Sequence, residues 1–121
     1  MELTEKLEEV LNDLNNNPNI FASLVIRKDG LFLAFLSKVD YINKNIAVSL
    51  ATIYNTFEQT SEELKTGQLS YLLIKAENKN IFFIEISKDI ILVLFLNTAS
   101  NINEIYSESN IISKKILEIL S

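Results

Sequence analysis

A chain of 121 residues with 48% apolar content is long enough to bury about two-thirds of its unfolded surface in one domain. It contains no His, Cys or Trp, which excludes imidazole bases and Ser-His-Asp triads, thiol chemistry, and the usual ligands of zinc, haem and iron–sulfur centres. Eleven Lys and Arg against sixteen Asp and Glu give a net charge of −5, and the cations are scattered, so no basic face is offered to nucleic acid.

Residues 3–14 set Leu3, Leu7, Val10, Leu11 and Leu14 on one stripe with charges opposite, which predicts an amphipathic helix. The run Asn15-Asn16-Asn17-Pro18-Asn19 ends it, because Asn favours turns and the residue before Pro leaves the α region. Lys28-Asp29-Gly30 then separates two apolar runs, 20–27 and 31–37, and an Asp-Gly pair so placed predicts a β-hairpin. Asp40 stands as the N-cap of a helix of about 25 residues, with Gly67 as its C′ residue. Ile42, Ile46, Leu50, Ile53, Phe57 and Leu64 form its main apolar stripe. Ala47, Ala51 and Tyr54 project roughly 80–140° away, with Val48 just beyond. Alanine is ordinary helix filler, but two small residues beside an aromatic also suit close approach of another helix, so this second face is expected to pack on a partner.

Three strands are expected at 68–77, 81–87 and 90–96, with hairpin turns at Asn78-Lys79-Asn80 and Lys88-Asp89. The run 90–96 is apolar at nearly every position, the pattern of a strand covered on both faces. A closing helix spans 101–120, with Asn101 and Glu104 as a capping box and Ile102, Ile105, Ile112, Ile116 and Ile119 as its buried stripe. The expected fold is α+β: one domain over 1–121, with a five-stranded antiparallel sheet between the long central helix on one face and the N- and C-terminal helices on the other.

This order, the Arg27-Lys28-Asp29-Gly30-Leu31 hairpin, the central helix with Ala47 and Ala51, and the run Ile91 to Leu96 before a closing helix resemble the Roadblock family. These small domains are known as dynein light chains and as bacterial MglB-like partners of small GTPases, within a wider profilin-like and longin-like group. The resemblance implies a non-enzymatic homodimer that pairs through the second helix and the strand after it. Its paired helices would then dock or regulate a small Ras-like GTPase. The sequence adds a reason to pair: a long apolar third strand at a sheet edge recruits another strand, and a two-fold dimer closes it. The interface is accordingly expected at Ala47, Val48, Ala51, Tyr54, Leu69, Tyr71 and Leu73, with Asn55, Glu58 and Glu62 available for partner docking.

No catalytic set competes with that reading. Glu8/Glu9 and Glu62/Glu63 are neighbours on helices, pointing about 100° apart, and read as solvated surface. Glu58 and Glu62 share a face and repel unless a cation intervenes; doubled across a dimer they make an acidic patch. Asp29 is accounted for by its turn, and Arg27, the one arginine, lies beside that turn, poorly placed to reach a phosphate. No cofactor or metal is expected. With no apolar run near the ~20 residues of a membrane span and an acidic N-terminus, a cytoplasmic protein is expected. Two other readings stand beside the GTPase regulator. One is a structural subunit pairing with other Roadblock-like chains in a multiprotein complex, without effect on nucleotide hydrolysis. The other is a sensory domain with a small-molecule cavity, which the almost wholly aliphatic expected core disfavours.

Overall fold

In the computed structural model, which describes residues 2–121, the first leucine stripe becomes helix α1 (Leu3–Asn15). Leu7, Leu11 and Leu14 are buried, Val10 is half-buried, and Leu3 stays exposed on the first turn. Beyond the helix the Asn17 side chain accepts a hydrogen bond from the Asn19 N–H at 2.9 Å, which turns the chain across Pro18. Strands β1 (Ile20–Arg27) and β2 (Phe32–Ser37) follow as the expected hairpin. Gly30 N–H donates to the Arg27 carbonyl at 2.9 Å, and Arg27 N–H donates to the Leu31 carbonyl at 2.8 Å. Gly30 has φ 94°, and a Cβ there would lie 3.1 Å from Val48 Cγ2, so both backbone and neighbour require glycine.

The central helix departs from expectation at both ends. It is α2 (Ala47–Glu63), 17 residues long, entered through a short 3-10 turn at Lys44–Ile46. Asn43, and not Asp40, supplies the cap: its side chain accepts from the Asn45 N–H at 2.9 Å. The chain near Asp40 is drawn elsewhere, since the Lys79 ammonium lies 5.1 Å from the Tyr41 ring. At the far end Leu64 is the C-cap, and Lys65, at φ 58°, takes the left-handed position expected of Gly67. Thr66 N–H to the Ser61 carbonyl and Lys65 N–H to the Glu62 carbonyl, both 3.1 Å, form the two bonds of a Schellman closure.

Strands β3 (Leu72–Lys75), β4 (Asn80–Ser87) and β5 (Ile90–Leu96) complete one antiparallel sheet in the order β2-β1-β5-β4-β3. The third strand is far shorter than the run 68–77 suggests. Residues 66–71 are spent climbing from the end of α2 back to the sheet. Tyr71 is held just before the ladder by ring contacts with Phe82 and Tyr106, at centroid distances of 5.2 and 5.3 Å. Helix α3 (Ile102–Leu120) starts at Asn101, whose side chain accepts from the Asn103 and Glu104 N–H groups at 3.0 and 3.3 Å.

Alternate side chains of β5 enter two separate cores, because a strand's side chains alternate between its faces. Leu92, Leu94 and Leu96 pack with Leu7 and Leu11 of α1 and with Ile105, Ile112 and Ile116 of α3. Ile91, Val93 and Phe95 pack with Ala47, Leu50, Ala51 and Tyr54 of α2. Both faces of β5 are thus covered, as its unbroken apolar run requires. One buried polar link ties α1 to the sheet: Asn15 Nδ2 donates to the Leu36 carbonyl at 3.0 Å, and Ser23 Oγ donates to Asn15 Oδ1 at 2.9 Å.

Candidate pairing and docking surface

The rotation of α2 decides which of its residues are available to a partner: Ala47, Leu50, Ala51 and Tyr54 meet the sheet, and Lys28 fastens the helix in that orientation. The polar groups of Lys28 tie the hairpin to α2, to β4 and to the turn after β4. Its N–H donates to the Asp89 carbonyl at 2.8 Å, and its carbonyl accepts from Asn55 Nδ2 at 2.7 Å. Its ammonium, less than a fifth exposed, bridges Glu58 of α2 at 2.9 Å and Glu85 of β4 at 2.6 Å. Burial pulls the Lys28 pKa down, but the hydrogen bonds and charges of Glu85 and Glu58 outweigh it, so the ammonium is held above its ordinary value. Tyr54 lies beside this group, 5.4 Å from the ammonium and 6.2 Å from the Phe83 ring. Its phenol is pushed well above the usual tyrosine value, first by burial and then by the charges of Glu85 and Glu58.

With α2 locked in this way, its two apolar faces exchange the roles expected of them. Ala47, Ala51 and Tyr54, read as a pairing surface, are buried in the chain's own core. The small alanines let the helix approach the sheet closely, and Tyr54 fills the space beside them. The stripe read as core is instead turned outward in part: Ile46 is 38%, Phe57 48% and Leu64 68% exposed. Leu50 is buried, Ile53 half-buried, and Ile42 lies outside the helix against the same core. Val48 is exposed but sits beside Gly30 of the hairpin.

The other expected interface residues are divided between the two faces of the sheet. Leu69 packs half-buried on the α2 side with Leu72, Ile74 and Ile81, while Leu73 packs with the core of α1 and α3. Tyr71 is stacked on Phe82 and on Tyr106 of α3. Of the expected docking residues, Asn55 and Glu58 are engaged by Lys28, which is the cation that relieves the repulsion between Glu58 and Glu62. Glu62 is exposed, and with Glu58, Lys65, Gln68 and Leu69 it lines a surface groove of about 570 Å³. Arg27 is paired with Asp29 at 2.6 Å across the hairpin turn.

The reading of the sequence missed both the Lys28 cluster and the outward apolar stripe. The cluster joins residues from three elements and has no local signature. The stripe had a signal, since Ala47 and Ala51 are what a helix lying close on a sheet requires. Among the described residues no group of three or more His, Cys, Asp or Glu could hold a metal ion, and no helix is long and apolar enough to cross a membrane.

Comparison with known structures identifies the architecture. MglB from Myxococcus xanthus superposes with a TM-score of 0.87 at 12% identity, covering 99% of this chain and 91% of that one. A Roadblock/LC7 domain from Streptomyces avermitilis gives 0.82 at 11% identity, covering 99% and 98%. Profilin from Schizosaccharomyces pombe gives 0.62 at 11% identity, covering 98% of each chain, so its layout is similar as well. At these identities the likeness speaks to the fold alone. No curated protein matches the sequence. The family model of the Roadblock/LC7 domain, however, matches residues 6–95, from α1 nearly to the end of β5, and the chain belongs to that family.

Proposed function

We propose that this chain acts as a non-enzymatic, cytoplasmic homodimer, a single domain over 1–121, which docks a small Ras-like GTPase on its paired central helices. The observation that carries the reading is the outward apolar stripe of α2. Ile46, Phe57 and Leu64 are long aliphatic or aromatic side chains left partly in water at the start, middle and end of the helix, and Ile53, Leu72, Ile74 and Ile81 are half-buried on the α2 side of the sheet. Apolar side chains exposed along one helix face suit an interface, and such a face on the layer next to a free strand edge suits a two-fold axis. The pairing face so defined is Ile46, Ile53, Phe57 and Leu64 together with β3, in place of the alanine face. Glu62 and the groove beside it stay at the rim, where charge steers a partner.

The test is a titration of the chain into a small Ras-like GTPase of the same organism, loaded with GTP or GDP. Binding to one nucleotide state with a changed rate of hydrolysis supports a regulator. Binding without a change in hydrolysis leaves a scaffold, and capture of another Roadblock-like chain with no GTPase binding would overturn the proposal in favour of a structural subunit.

A further inference from the structure

The sheet has two edges, and the pairing face uses only the one at β3. At the other edge β2 pairs with β1 alone. Lys38 N–H donates to the Phe21 carbonyl, and Leu36 and Ala34 stand opposite Ser23 and Val25 in the same alternation. The main-chain groups of Phe35 and Ser37 therefore point away from β1. Among the described residues no helix or loop main chain pairs with them. The Asn15 side chain that reaches this strand binds the inward Leu36 carbonyl instead. The strand Phe-Leu-Ala-Phe-Leu-Ser carries no charge and no proline, so apart from the bulge at Leu33 it lacks the usual protections of a free edge.

Its surroundings differ on the two faces. Residues 2–15 hold five acidic side chains against one lysine, which accounts for four of the five net negative charges of the chain. Glu5, Glu8, Glu9 and Asp13 line a surface groove of about 720 Å³ that reaches Leu36 of β2. On the opposite face the half-buried rings of Phe32 and Phe35 lie 6.3 Å apart.

We infer that β2 accepts an extended strand from a partner protein, with basic side chains at alternate positions and apolar ones between them. Main-chain bonds to Phe35 and Ser37 provide the attachment. Alternate side chains of the incoming strand fall either on the acids of α1 or on the two phenylalanine rings. A second copy of this chain does not fit the edge. Its β2 brings no cation, and two-fold pairing there would set one acidic α1 beside the other.

The probe is a peptide of about eight residues alternating lysine and valine, long enough to span β2, titrated into the isotope-labelled chain and followed by amide resonances. Two peptide controls separate pairing from charge: the same peptide N-methylated at alternate residues, and its glutamate–valine counterpart. A chain control carries Glu5→Gln, Glu8→Gln and Glu9→Gln, with its fold checked by circular dichroism. The expected result is a set of shifts centred on Phe35 and Ser37, and binding at least about tenfold weaker in each control. The inference is overturned if the N-methylated peptide binds as well as its parent, or if the shifts centre on β3 or α2. Concentration-dependent shifts at β2 without peptide, or no saturable binding, overturn it equally. Phe57→Ala leaves this titration unchanged, so failure here and failure of the pairing face are separate results.

Discussion

Phe57→Ala is the sharpest probe of the pairing face. In the single chain Phe57 is 48% exposed, and a phenylalanine offers roughly 200 Å² for burial. About 100 Å² per chain is therefore left to a partner, and at about 25 cal/mol per Å² its burial contributes about 2.5 kcal/mol. Alanine keeps a small part of this, so the loss is about 2 kcal/mol per chain and about 4 kcal/mol across a two-fold interface. At about 1.4 kcal/mol per decade, the dimer dissociation constant should rise about a hundred- to a thousandfold, the lower figure applying if the ring is incompletely covered. Sedimentation equilibrium over a concentration series measures it directly. The urea midpoint of the isolated chain should move much less than the association constant, because half of the ring is already in water. Ala51→Glu cannot serve as this probe, since it drives a charge into the core of one chain and should unfold it. If Phe57→Ala self-associates as tightly as its parent, the assignment of the face is wrong.

Other substitutions test the internal structure. Gly30→Ala should cost about 1–3 kcal/mol in urea unfolding, from the positive φ and from crowding of Val48; no change would mean the hairpin relaxes freely. Lys28→Met leaves Glu58 and Glu85 facing each other at the α2 junction. Because both carboxylates keep some water, the expected loss is about 2 kcal/mol, below that of a fully buried pair, and a stability equal to the parent's would refute the lock. Folding raises the pKa values of both Lys28 and Tyr54, so the folded state holds more protons than the unfolded chain at high pH. Their contribution is complete below the ordinary tyrosine value of 10.0 and is lost as pH rises beyond it. Urea midpoints should thus fall steeply in alkali, and the fall should be shallower in Lys28→Met. Ser109 Oγ is buried without a hydrogen-bond partner, so Ser109→Ala should leave the melting temperature unchanged or raise it, by about 1 kcal/mol at most.

What was legible in the sequence was whatever depends on neighbours in the chain. The leucine spacing of α1, the Asp29-Gly30 hairpin, the Asn101 cap and the doubly buried run of β5 all express local periodicity or turn chemistry, and each has its expected counterpart. Helix α2 was misread because periodicity reports that a helix has an apolar face without saying which of two faces meets the sheet. Ala47, Ala51 and Tyr54 are the residues that meet the sheet, and Lys28, Glu58 and Glu85, drawn from a turn, a helix and a strand, fasten the helix in that orientation. Its end was misassigned for a related reason: Gly67 is the better residue for a left-handed cap, yet Lys65 occupies it because the Schellman bonds to Ser61 and Glu62 form two residues earlier. The third strand shortened because the chain must climb out of the helical layer before it can pair, a distance that a run of apolar residues does not encode.

The alternation along β5 has a mechanical consequence. Seven residues serve as a party wall between two cores, and a slip of one residue would send every side chain into the wrong half. A volume change on either side must move the same backbone, so neither half can adjust alone. The two helical layers are therefore joined through one backbone, and a β5 side chain enlarged on one face crowds the strand against which the other face packs.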